Sequence, residues 1–111
     1  MNVDLKNNKC EPCKGTTPKL NPDEIINYLS QLDGWSVNKD NEMIFKKFEF
    51  KSFKKALNFI NLIGELAEFE GHHPDISFGW GYCLVMIHTH IIKGLSVNDF
   101  ILASKIDLIS I

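Results

Sequence analysis

There is no arginine in the 111 residues, so every one of the 12 basic side chains is a lysine. The planar, bidentate forks favoured for phosphate and guanine recognition are therefore missing. A formal net charge of −2, from 14 acids against 12 bases, points the same way, because a general nucleic-acid binder is normally basic. No apolar run approaches the roughly 20 residues of a membrane-spanning helix. The polar opening "MNVDLKNNK" is no signal peptide. Neither nucleic acid nor membrane is an expected partner, and a cytoplasmic location is expected. Three cysteines, a small and odd number, exclude a disulfide framework. Cys10 and Cys13 form a C-x-x-C pair, but two further close ligands for zinc are not evident. No strand precedes the pair to suggest a thioredoxin-type motif. Cys83 lies in an apolar run and reads as a buried strand residue.

What is present suits one compact domain with a real core, since 44% of the residues are hydrophobic. Residues 1–20 read as an irregular N-terminal arm, and residues 21–111 as the domain. In "NPDEIINYLSQLDG", Asn21 is a helix N-cap, Pro22 takes the first helical position and Glu24 reaches back in a capping box. Gly34 is expected to close that helix. "WSVNKDNEMIFKKFEF" reads as a hairpin turning at Lys39–Asn41. In the next segment Ser52 caps a long amphipathic helix that Gly71 ends. The lysines at 46, 47, 51, 54 and 55 read as a solvated edge and helix face. "DISFGWGYCLVMIHTH" reads as a second hairpin. In its second strand Cys83, Val85, Ile87 and Thr89 face one way, and Leu84, Met86, His88 and His90 the other. The strand Tyr82 to His90 is expected at an edge of the sheet. "SVNDFILASKID" is a third amphipathic helix, with Ser96 and Asp99 at capping-box spacing. The order α-β-β-α-β-β-α gives an α+β fold, a four-stranded antiparallel sheet with three helices packed on one face.

Half of the four histidines stand together in "EFEGHHPD", residues 68–75. His72 and His73 follow a helix end and enter a strand. Pro74 biases His73 to an extended backbone, so the pair is held in place. Glu68, one turn earlier, can accept an imidazole N–H and set its tautomer. Hairpin pairing brings Asp75 near His88 and His90, with His72 and His73 just beyond. Three imidazoles at one sheet edge suit proton transfer near neutral pH. The bland readings are a surface loop for His72, a helix-end cation for His73, a rim or subunit contact for His88 and a plain cap for Asp99. Three histidines also suit zinc. Adjacent rings aim poorly at one ion, but the spacing of His88 and His90 keeps that alternative open.

As a combined pattern, Glu68, His72, His73, Pro74 and Asp75, then Thr89–His90, then "GLSVNDFILASKID", closely resembles the pterin-4a-carbinolamine dehydratase family. The resemblance covers roughly residues 20–109, and the arm with "CEPCKG" looks like bacterial members. Ile76 and Ser77 stand where many members carry aromatic residues. The resemblance implies dehydration of 4a-hydroxytetrahydropterin to quinonoid dihydropterin, in pterin recycling linked to phenylalanine hydroxylase. It implies a pterin substrate, no cofactor, no metal, and a homodimer or homotetramer. It makes His73 and His90 the acid–base residues and His72 the residue that meets the 4a-hydroxyl. Glu68, Pro74, Asp75, Trp35, Thr89 and Asp99 become supporting or substrate-binding residues. The rival implication is a non-catalytic interaction protein on the same fold, a transcriptional coactivator or an assembly factor.

Overall fold

Asn21 starts the first helix as its sequence dictates. Its side chain accepts from the Glu24 N–H at 2.8 Å, and Glu24 accepts in return from the Asn21 N–H at 3.0 Å. This computed structural model describes residues 5–110. Helix α1 spans Pro22–Leu29 and stops at Ser30, short of the expected Gly34. The reason is local: Gln31 and Leu32 bond back three residues rather than four, to Tyr28 and Leu29, so the chain tightens out of the α form. Gly34, at φ +82°, serves the turn into the sheet instead.

Strand β1 is only Ser36–Val37, and β2 runs Ile44–Glu49. Asn38 organises the turn between them by accepting from the N–H groups of Glu42 and Met43. Helix α2, Phe53–Glu70, is capped by Ser52, whose hydroxyl accepts from the Lys55 N–H. Gly71 ends it in the left-handed conformation. Strands β3, Asp75–Gly79, and β4, Tyr82–Ile87, form the second hairpin, and helix α3 covers Val97–Ile106.

The sheet order is β1-β2-β4-β3, antiparallel throughout, with three helices on one face. Here the expectation for β4 fails. It does not end the sheet but lies inside it, with Ile44 opposite Ile87 and Glu49 opposite Tyr82 on one side and β3 on the other. Its Cys83, Val85 and Ile87 are fully buried, as the alternation predicts, with Ile44 beside them. A strand buried in this way gains from a partner on each side, and β2 supplies the second. Phe59 of α2 packs on Phe48 and Phe50, and Tyr28 of α1 stacks on Phe100 of α3. Lys46 departs from the solvated reading. It turns inward, with its ammonium on Asp107 at 2.9 Å and on the Asp33 carbonyl at 2.8 Å.

The arm is tied down. Leu5 and Cys10 are buried in the core, and the Leu20 N–H reaches the Leu95 carbonyl. Asn98 of α3 clamps Glu11, accepting from its N–H at 2.9 Å and donating to its carbonyl at 2.8 Å. The Cys10 N–H donates to Glu70, whose other oxygen holds the Lys105 ammonium at 2.7 Å. These ties carry Cys13 to the end of α2, beside the histidines.

Candidate active site

The end of α2, the start of β3 and the segment after β4 meet around a cavity of about 320 Å³. His72, His73, Asp75, His88 and His90 all line it, together with Cys13 of the arm. All four histidines of the chain thus share one cavity. A depression of about 380 Å³ lies elsewhere, between Leu32 and Asp107, but no imidazole reaches it. Chemistry rather than volume marks the site.

His72 is the fixed member. It is buried, and its Nε2 lies 2.6 Å from Oδ1 of Asp99, which is wholly buried. An ionised carboxylate accepts only, so Nε2 carries the hydrogen, and in the neutral ring Nδ1 is left as an acceptor. The Cys13 thiol stands 3.5 Å from that Nδ1. Asp99 is fixed in turn. Its Oδ2 accepts from the Thr89 hydroxyl at 2.9 Å and from the Ser96 N–H at 2.8 Å. One carboxylate therefore caps α3, holds the loop after β4 and orients an imidazole. Charge-assisted bonds of this kind are roughly twice as strong as neutral ones.

The other imidazoles are freer. His73 is exposed and bonds through Nε2 to Glu68, which is more exposed still. His88 reaches Asp75 at 3.0 Å, and its ring lies 3.9 Å, centroid to centroid, from that of His90. The His90 imidazole is exposed and has no hydrogen-bond partner among the described residues. It begins a short 3-10 turn, His90–Ile92, that leaves the sheet and returns through the bridge between Thr89 and Gly94. Such groups can reach a ligand by side-chain rotation.

The cavity thus gathers His72, His73, Pro74, Asp75, Thr89 and His90, with Glu68 and Asp99 bonded to them from outside its lining. Trp35 stands apart: its indole N–H donates to Asp107 at 3.0 Å, and it packs edge-on to Phe48 in the core. Sequence reasoning missed Cys13 as a cavity residue. The ties of the arm to Asn98 and Glu70 bring it there, and nothing local announces those contacts. Burial, followed by the nearby Glu70 carboxylate, pushes the Cys10 thiol up to about 12, and burial pushes Cys83 to about 11. Both stay protonated, inert thiols.

The cavity of this α+β fold thus holds one anchored imidazole and three that are more exposed. The family model for pterin 4 alpha carbinolamine dehydratase matches residues 18–109, and the chain belongs to that family. A protein of Azoarcus sp. (strain BH72) is 47% identical over 107 residues, 96% of this chain and 92% of its own length. One from Alkaliphilus metalliredigens is 48% identical over 104 residues, 93% of each. Both carry the provisional name pterin-4-alpha-carbinolamine dehydratase. Among solved structures, a transcriptional coactivator/pterin dehydratase from Brucella melitensis superposes with a TM-score of 0.77 at 30% identity, over 81% of this chain and 96% of its own. A pterin dehydratase-like protein identified as a RuBisCO assembly factor in the alpha-carboxysome gives 0.58 at 25% identity, over 67% and 86%. No helix among the described residues is long and apolar enough to cross a membrane.

Proposed function

We propose that this chain is an enzyme that dehydrates 4a-hydroxytetrahydropterin to quinonoid dihydropterin by histidine acid–base catalysis. The observation that carries the reading is the single cavity in which the anchored His72 stands with His73 and His90. In the reaction the C4a–O bond breaks, the departing hydroxide gains a proton and a ring N–H gives one up. Water leaves, no electrons pass to or from the protein, and no cofactor is required. His73 and His90 act as acid and base, because their exposed rings line the cavity and an imidazole can both donate and accept a proton. His72 presents Nδ1 as an acceptor, and the 4a-hydroxyl takes the place of the Cys13 thiol on it. Glu68 sets the tautomer of His73 as Asp99 sets that of His72.

The same reading makes the product a substrate for reduction back to tetrahydropterin, which serves aromatic amino-acid hydroxylation and links the chain to phenylalanine hydroxylase. It also implies a cytoplasmic homo-oligomer, dimer or tetramer. The strand β3 supports the latter, because it forms an edge with no proline within it to block pairing.

A stopped-flow assay with freshly generated carbinolamine tests the reading. Catalytic amounts of protein should raise the dehydration rate well above the uncatalysed one. A rate indistinguishable from buffer would leave the non-catalytic alternative, an interaction role of the kind that the names of the two solved relatives describe.

A further inference from the structure

Two residues of the cavity, Asp75 and His88, have no step in the dehydration. Asp75 opens β3 opposite Met86 of β4. Two and four residues past Met86, on the same side of the extended chain, come His88 and His90. The three side chains therefore meet at the cavity mouth, and each offers one ligand atom within 4.8 Å of the others. His88 already touches Asp75 at 3.0 Å, and its ring lies beside that of His90. About a tetrahedral ion with bonds of roughly 2.0–2.2 Å, ligand atoms sit about 3.4 Å apart. With His88 and Asp75 already at 3.0 Å, the gaps left to adjust are those to His90, whose exposed ring is able to rotate. Two imidazoles and one carboxylate with open positions form a known donor set for divalent transition metals.

We propose that Asp75, His88 and His90 form a site for a divalent transition metal such as zinc, and that metal bound there inhibits the enzyme. A bound ion needs the lone pair that His90 uses as a base, so the residue is withdrawn from proton transfer. The inhibitory half rests on the dehydratase reading above; the binding half does not.

The test is a titration of the full chain with Co²⁺ in the absence of pterin, followed by visible absorption, with Zn²⁺ displacing the Co²⁺. One equivalent per chain is expected. Asp75→Asn and His88→Ala should each weaken binding at least tenfold, and Cys13→Ser should not. Circular dichroism establishes that each variant is folded. Absence of saturable binding, or binding that both His88→Ala and Asp75→Asn leave unchanged, overturns the site. In the dehydration assay, stoichiometric Zn²⁺ should slow the unsubstituted protein. Binding without slowing overturns the inhibitory role. A protein that binds Co²⁺ but dehydrates no pterin keeps the site and loses the dehydratase reading.

Discussion

His72 and Asp99 lie 27 residues apart, yet their side chains meet at 2.6 Å in a place closed to solvent. The contact couples fold to site, since the same carboxylate caps α3 and bonds Thr89 beyond the end of β4. Removing it leaves the His72 N–H and the Ser96 N–H short of an acceptor, while the Thr89 hydroxyl can turn to the Ser96 Oγ at 2.9 Å. An unsatisfied buried donor costs about 1–3 kcal/mol. Asp99→Ala should therefore lose at least about 2 kcal/mol in urea unfolding. Asp99→Asn should also destabilise the fold, because its amide N–H₂ meets either the obligate Ser96 N–H donor or a His72 Nε2 that must give up its hydrogen to accept. Unchanged midpoints for both variants would contradict this account of Asp99.

The three thiols should separate by reactivity. Cys10 and Cys83 are buried and pushed up to about 12 and 11. Cys13 is partly exposed and lies on the cavity. Brief iodoacetamide treatment of the native protein at neutral pH should label Cys13 first, as read by peptide mass spectrometry. Preferential labelling of Cys10 would mean that the arm is not seated as described. Under the dehydratase reading, labelled Cys13 should also impede pterin, because the adduct fills the space in front of His72.

Glu70 links the arm to the domain and titrates with a clear sign. Burial alone would raise its pKa, but the Lys105 ammonium and the Cys10 N–H outweigh it and hold the carboxyl below its usual 4.5. Its contribution is then fully present above pH 4.5 and is lost as pH falls below that value through the folded one. Between pH 6 and pH 3, about the span of ordinary carboxylate titration, Glu70→Gln should show a smaller fall in urea midpoint than the unsubstituted protein. Parallel falls would contradict the coupling.

Much of the fold was legible because its signals are local. Asn21 with Glu24, Ser52 with Lys55, and Gly71 each act within a few residues, and all three stand as the sequence predicts. The alternation of Cys83, Val85 and Ile87 marked the inner face of β4. Its interior place in the sheet was not legible, because the pairing of β2 with β4 joins segments about 40 residues apart across a helix. A hairpin declares its own partner; a non-local pair is chosen by packing. For the site, hairpin pairing put Asp75 near His88, as found. The position of Cys13 depends on a side-chain clamp from Asn98, 85 residues away, and no spacing rule encodes that.

Self-association should be visible in solution. Among the described residues β1 and β3 are the sheet edges, and β3 is the longer. Unpaired edge strands invite a second copy, and most such assemblies are two-fold. Light scattering should give at least twice the chain mass of 12.7 kDa. A monomer at working concentration would contradict the proposal of a homo-oligomer.

The central claim is that cavity histidines move the protons of dehydration, and stopped-flow kinetics of the folded His73→Ala/His90→Ala variant test it most directly. A positioned acid or base contributes about 10²–10⁴ in rate. Each single variant should lose a large part of kcat, and the double variant should fall to near the uncatalysed rate for both stereoisomers of the 4a carbon. His72→Ala should instead weaken substrate binding more than His73→Ala does. A folded double variant that dehydrates both isomers at the unsubstituted rate would contradict the account.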